Sequence, residues 1–255
     1  MANSEAVWLE LLVEDRSGAY LIEPLVRRML RSSPVPVTLK VRAHKGLGHW
    51  PNPATEISSD GRKTALSRAQ ERGDKRRNLL GPNYQRTRGH GLYHFLGAKL
   101  RAYERLCQQR PLILGIVQDA DRTPYRVIER KLEKVISKET DNLVTVLGIA
   151  VEELESWLLA DEVALFRAYP NANRELYERY QQDSIIGTWE YMAQIILGPD
   201  YGQRVVAAGY PLAGKHKTEW AQQIGPKLRP RRMNSPSFRR FERDLHRALE
   251  RYANA

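Results

Sequence analysis

Val7 to Val13 (VWLELLV) is an apolar run of strand length, and from Ser17 to Arg31 the period changes. Tyr20, Leu21, Leu25, Met29 and Leu30 then recur at helical spacing. A buried strand followed by a helix is predicted. Pro24 falls inside that helix and predicts either a kink or a late start with Pro24 in the first turn. A second strand is expected at Val35 to Ala43. Gly91 to Gln109 carries Leu92, Phe95, Leu96, Leu100, Tyr103 and Leu106 along one helical face. Leu112 to Val117 is the clearest central strand, followed by a helix at Tyr125 to Ser137 and a strand at Leu143 to Ala150. This alternation predicts an α/β fold whose sheet is mostly parallel and flanked by helices.

Beyond Pro170 the strand signal fades and a helical region is expected, with Trp189, Met192, Ile195 and Ile196 as its buried stripe. Near the end, Ser235 caps a last helix, Pro236 takes its first position, and Phe238, Phe241, Leu245 and Leu249 form its apolar face. Two regions follow: residues 1–170 as the α/β domain, interrupted by a Gly, Pro, Lys and Arg-rich insertion near 44–90, and residues 171–255 as a helical, basic region against it.

Composition narrows the class. With 255 residues, 42% of them hydrophobic and 28% charged, the chain has material for a buried core, and no apolar run approaches the roughly 20 residues a membrane span needs. The acidic Glu5 and Glu10 do not suit a signal peptide, so a cytoplasmic location without membrane attachment is expected. A single cysteine, Cys107, excludes an internal disulfide and a multi-cysteine zinc site. The net charge of +11 is concentrated in residues 61–90 and 213–255, each with a balance of +7, which leaves −3 for the rest. A basic frame around an acidic centre suits a polyanion, nucleic acid above all, held beside metal ions.

The acidic centre is where an open α/β sheet builds its site, just past the carboxyl ends of the strands. Glu14 and Asp15 follow the first strand, Asp119 and Asp121 the central one, and Glu152, Glu153 and Glu155 the next. On extended backbone, alternate side chains point to the same side, so Asp119 and Asp121 are expected to converge on a hard cation such as Mg²⁺. Glu153 and Glu155 share a side if the chain stays extended there, whereas Glu152 and Glu155 share a face once it turns helical. Trp157, Leu158 and Leu159 are expected to pack in the core behind these acids, with Asp161 beyond them.

The segments VEDRSGAYLIEPLVRRML, IVQDADRTP, IAVEELESWLLAD, GKHKTEWAQQIGPKL and NSPSFRRF together resemble a family of Toprim-like proteins that bacteria encode beside AAA or ABC-type ATPases in defence and mobile loci. The resemblance covers almost the whole chain. It implies a Toprim-like sheet whose Glu after the first strand is Glu14, whose DxD is Asp119 with Asp121, and whose ExE(A/S)W signature holds Glu153 and Glu155. It further implies a nuclease hydrolysing phosphodiester bonds of RNA or DNA with Mg²⁺ or Mn²⁺, working with an ATPase partner. Glu14, Asp119, Asp121 and Glu155 are then the metal ligands, with Glu153 assisting, and Glu14 doubles as general base or second-metal ligand. Lys45, Lys215, Lys217, Arg231 and Arg232 are the candidates for gripping phosphates. Where the family has Glu then Gly after the first strand, this chain has Asp15, which puts the tight turn in question and offers one more acid.

Three other readings carry less. DADRT at Asp119 to Thr123 fits a phosphatase DxDxT motif, but it stands after the wrong strand and lacks the later acidic segment. GYPLAGKH at Gly209 to His216 nearly spells a P-loop, with His216 where Ser or Thr must stand; a turn into a helix around Trp220 is expected instead. His90 and His94 have i, i+4 spacing and read as a solvent-facing pair. The rival from another class is a non-catalytic nucleic-acid-binding or regulatory subunit. The sequence leaves open RNA against DNA and the oligomeric state, a homo-oligomer included.

Overall fold

A computed structural model describes residues 5–46, 92–184, 187–209 and 212–254. Four strands, β1 (Val7–Val13), β2 (Val37–Ala43), β3 (Leu112–Asp119) and β4 (Val144–Ala150), form one all-parallel sheet in the order β2-β1-β3-β4. The central pair, β1 and β3, is almost wholly buried, as expected for parallel strands covered on both faces. Edge strand β2 alternates partly buried with exposed residues. The fold is of the predicted α/β class. The basic insertion predicted near 44–90 lies outside the described residues from 47 onward, as does His90.

Helix α1 (Arg16–Met29) follows β1, α2 (Leu92–Cys107) precedes β3, and α3 (Tyr125–Glu139) joins β3 to β4. Strand alternation divides the core into two layers. Leu9, Leu11, Val13, Ile113 and Val117 pack with Leu21, Ile22 and Leu25 of α1 on one face. Leu12, Leu114 and Ile116 meet Leu96 and Leu100 of α2 and Leu132 of α3 on the other. Each short helical apolar stripe thus closes one face of the sheet.

Pro24 neither breaks nor delays α1; the helix runs through it. The ring removes the N–H that would have met the Tyr20 carbonyl. Gly225 of the C-terminal region approaches that carbonyl so closely that a Cβ there would lie 2.6 Å from it.

After β4 the chain is helical: α4 (Glu155–Leu159), α5 (Glu162–Ala168), α6 (Arg174–Arg179), α7 (Thr188–Leu197), α8 (Pro199–Ala208), α9 (Leu212–Ile224) and α10 (Pro236–Ala253). Of the P-loop-like letters, Leu212 to His216 lie within α9, with Trp220 buried on the same helix. As predicted, Ser235 caps α10, its Oγ accepting the Phe238 N–H at 3.1 Å, and Pro236 takes the first turn. Met192 and Ile195 are buried as expected, while Trp189 and Ile196 are only partly so.

The C-terminal helices are part of the main core rather than an appendage. Trp157 of α4 is fully buried, lies edge-on to Phe238 with centroids 5.6 Å apart, and stacks on Phe241 at 5.8 Å. Its indole N–H donates to Ser237 Oγ at 2.8 Å. Trp157→Ala is therefore expected to cost about 3 kcal/mol, since it empties a large site between α4, β4 and α10 and leaves the Ser237 hydroxyl with Ser235 Oγ at 3.0 Å as its partner. Urea unfolding of the variant measures this; a change under about 1 kcal/mol contradicts the described packing.

Among the described residues no helix is long and apolar enough to cross a membrane.

Candidate functional site

The carboxyl ends of β1 and β3 lie side by side where the topology reverses, because the chain leaves β1 toward β2 on one flank and returns to β3 on the other. Glu14 and Asp119 stand at this point. The Glu14 N–H donates to the Val117 carbonyl at 3.0 Å, continuing the β1–β3 ladder, and the Asp119 N–H donates to Glu14 Oε2 at 3.0 Å. Asp119 Oδ1 in turn accepts the Leu154 N–H at 2.7 Å. Two carboxylates thus stitch the edges of β1, β3 and the turn after β4. Each retains an oxygen, Glu14 Oε1 and Asp119 Oδ2, that meets no hydrogen-bond donor among the described residues.

Asp15 caps α1, accepting the Gly18 N–H at 2.7 Å and the Ser17 hydroxyl at 2.7 Å. Its φ of −145° is ordinary extended backbone, so the turn after β1 does not require the glycine that the resemblance leads one to expect. The close approach is at Gly18 instead: a Cβ there would lie 2.7 Å from Leu154 Cδ1 and 2.9 Å from Val13 Cγ1, so a larger residue requires those side chains to shift where the start of α1 meets the turn that binds Asp119.

Asp121 departs from expectation. β3 ends at Asp119, and Asp121 has φ of 47°, so the extended backbone on which the two aspartates are expected to converge stops before the second of them. An Asp121–Glu152 bridge accompanies the bend, with the Asp121 N–H donating to the Glu152 carbonyl at 2.8 Å. Asp121 still lies close enough for its charge to act on Glu14.

The glutamates after β4 take separate roles. Glu152, with φ of 57°, turns to the start of α7, where its carboxylate accepts the N–H groups of Gly187 at 2.9 Å and Thr188 at 2.8 Å. It binds the amino end of that helix and does not share a face with Glu155. The chain tightens into a helical turn at Glu153, and Glu153 and Glu155 meet through Lys217 of α9. The Lys217 ammonium stands 3.2 Å from Glu155 and 3.6 Å from Glu153, and the lysine is only 8% exposed. Predicted as a phosphate grip, Lys217 instead supplies a buried counter-charge to the acids.

The electrostatics bind these residues into one cluster. Burial pushes the Glu14 carboxyl up to about 7, against the pull of the Asp119 N–H and with repulsion from Asp15 and Asp121. Asp119 lies well above the usual carboxylate range, through burial first and then the charges of Glu14 and Glu155. Burial raises Glu153 to about 8 and also raises Glu155, with Lys217 opposing both. One lysine is too little positive charge for so many acids.

The remaining predicted phosphate ligands fall in two places. Exposed Lys45 follows β2 at the acidic edge, next to Gly46, whose N–H donates to the Glu14 carbonyl at 2.9 Å, and exposed Lys215 lies on α9 two residues before Lys217. Arg231 and Arg232 belong to a short turn, Pro230–Arg232, that reaches the far end of α1. Arg232 is held by fully buried Asp161 through two bonds of 2.9 Å. Asp161 also accepts the N–H groups of Ala164 at 3.1 Å and Arg229 at 2.9 Å, so it organises a capping site and does more than pack. Only the folded chain shows this, because 71 residues separate Asp161 from Arg232.

Among the described residues no three His, Cys, Asp or Glu side chains already stand together as a group that could hold a metal ion. The cluster fits a hard divalent cation in donor chemistry and charge. It offers carboxylate oxygens only, two of them uncommitted among the described residues, and burial together with repulsion between the acids raises the proton affinity of four side chains. Comparison of the chain with protein-family models, curated proteins and solved structures finds no match in any of the three.

Proposed function

We propose that the chain is a divalent-metal-dependent phosphodiesterase acting on nucleic acid, with Glu14 and Asp119 at the centre of its site and Glu155, Glu153 and Asp121 around them. The observation that carries this reading is the meeting of Glu14 and Asp119 at the switch point of the sheet, where the Asp119 N–H donates to Glu14 and each carboxylate keeps one oxygen without a donor among the described residues. The resemblance of the acidic segments to the Toprim-like family supports the same assignment, and extends it to a defence effector that works with an AAA or ABC-type ATPase.

Asp119 and Glu155 would hold Mg²⁺ or Mn²⁺, with Glu14 beside them. When bound, the ion supplies a Lewis acid for a phosphoryl oxygen and lowers the pKa of water. Glu14, bonded through Oε2, would use Oε1 either as a further ligand or, where Asp119 and Glu155 alone hold the ion, as the general base that accepts a proton from an attacking water. Lys217 holds Glu153 and Glu155 in place and limits the charge the cluster must bear. Lys45 follows β2 at the acidic edge, where an incoming phosphate backbone would meet positive charge, whereas Lys215 lies on a different face of α9 from Lys217.

The test is cleavage of single-stranded and duplex RNA and DNA by the full chain with Mg²⁺ or Mn²⁺. Asp119→Asn and Glu14→Gln are each expected to lower the rate at least 100-fold, on the order of 3 kcal/mol of barrier. Cleavage that survives both changes overturns the assignment. Strand binding without cleavage, with or without the ATPase, favours the non-catalytic reading.

A further inference from the structure

A groove of about 930 Å³ lies away from the acids, between the end of α1, the Pro230–Arg232 turn and α10, lined by eight arginines against two glutamates. Asp15 caps the start of α1 and Arg28 lies thirteen residues further on, which at 1.5 Å per residue puts the groove about 20 Å from the acidic edge.

Its two walls differ. On α10, Arg239, Arg243 and Arg247 recur every fourth residue and form a ladder along one helical face, with successive steps about 6 Å apart. That step is comparable with the spacing of phosphates along a stretched single strand. Opposite stand Arg28, Arg31, Arg229 and Arg231, with Arg232 fixed by Asp161. Arg28 donates to the backbone carbonyls of Pro24 and Pro226, yet its Nε–H is buried and meets no acceptor among the described residues. Burial and the charges of Arg229, Arg31 and Arg232 lower the proton affinity of Arg28, which marks an excess of positive charge there. The ladder's own acids neutralise it only in part: Glu242 is 2.7 Å from Arg239, whereas Asp244 is 3.5 Å from Arg243 and 3.9 Å from Arg247.

We infer that this groove binds the phosphate backbone of a single-stranded nucleic acid. The walls flank the ligand from two sides and α10 presents a single row of charges, which suits one strand. A linear ladder suits a chain of phosphates rather than a compact anion. Among the described residues no Phe, Tyr or Trp lines the groove, so recognition is of the backbone charge and independent of sequence. Strand binding here is independent of the phosphodiesterase reading, because the groove is separate from the acids.

The test is fluorescence anisotropy of a labelled single strand, roughly 20 nucleotides long to exceed one site size, with the full chain in buffer free of divalent ions. Arg243→Glu with Arg247→Glu is expected to weaken binding at least tenfold, whereas Arg130→Glu, on α3 away from the groove, changes it less than twofold. The neutral pair Arg243→Gln with Arg247→Gln provides a milder change should the charge reversal disturb folding. It is expected to lower the slope of log K on log salt by about 1.4, the loss of two contacts to a single strand. Equal effects of groove and control variants overturn the inference. So does tripolyphosphate or a duplex that displaces the strand at equal phosphate concentration, or a wild-type chain that does not bind. A chain that binds through these arginines and never cleaves sinks only the phosphodiesterase reading.

Discussion

Lys217→Ala should destabilise the protein by about 4 kcal/mol at pH 8 and by much less at pH 5.5. The ammonium is buried between Glu153 and Glu155, at 3.6 and 3.2 Å, and removal of one partner of a buried ion pair leaves uncompensated charge that costs about 3–5 kcal/mol. Its loss also removes the main influence that keeps the pKa values of Glu153 and Glu155 down, so in the variant both carboxyls take up protons more readily. At pH 5.5 protonation already relieves most of the repulsion, which is why the cost shrinks there. Urea unfolding at the two pH values measures the difference. Combining Lys217→Met with Glu155→Gln should recover much of the loss, because the charge left behind is removed together with its partner. Equal destabilisation at both pH values would mean that Lys217 acts by packing alone.

Without divalent ions the wild type should lose stability as pH rises. Glu14 moves from 4.5 to about 7 and Glu153 from 4.5 to about 8 on folding. Between the unfolded and folded values the native state binds more protons than the unfolded state, so stability must fall as pH rises through that range. The fold is expected to be most stable near pH 5 and to lose on the order of 6 kcal/mol by pH 8, since each tenfold difference in proton affinity between the two states is worth about 1.4 kcal/mol and most of both shifts is lost over that range. Saturating Mn²⁺ should restore the loss at pH 8 and do little at pH 5, where protons already neutralise the acids. Thermal or urea unfolding from pH 5 to 8 checks both statements. A stability that rises toward pH 8 contradicts the electrostatic description of the site.

The strands are legible in the sequence because parallel strands covered on both faces need unbroken apolar runs, and VWLELLV and LILGIV have few other fates. Their order is not, since apolar runs carry no record of which neighbours they choose. Glu14 and Asp119 are legible from their place just past a strand. Asp121 is misplaced by the alternation rule, which assumes extended backbone, whereas a left-handed residue bridged to Glu152 breaks it. As letters Glu152 is equivalent to its neighbours; it is set apart only when α7 presents its free N–H groups to that carboxylate. Lys217 and Arg232 each read as one more cation in a basic tail. Their partners lie 62 and 71 residues away, and only the packing of the C-terminal helices brings them together. The arginine ladder of α10 is visible as letters at every fourth position, but its opposite wall comes in part from α1, near the other end of the chain.

If the acids at the ends of β1 and β3 gather a divalent cation, calorimetric titration of Mn²⁺ into the full chain near neutral pH will register it without any need for a substrate. Saturable binding that weakens at least tenfold in both Asp119→Asn and Glu14→Gln is the predicted result. Binding of equal strength in the wild type and both variants, or none in the folded wild type, would contradict it.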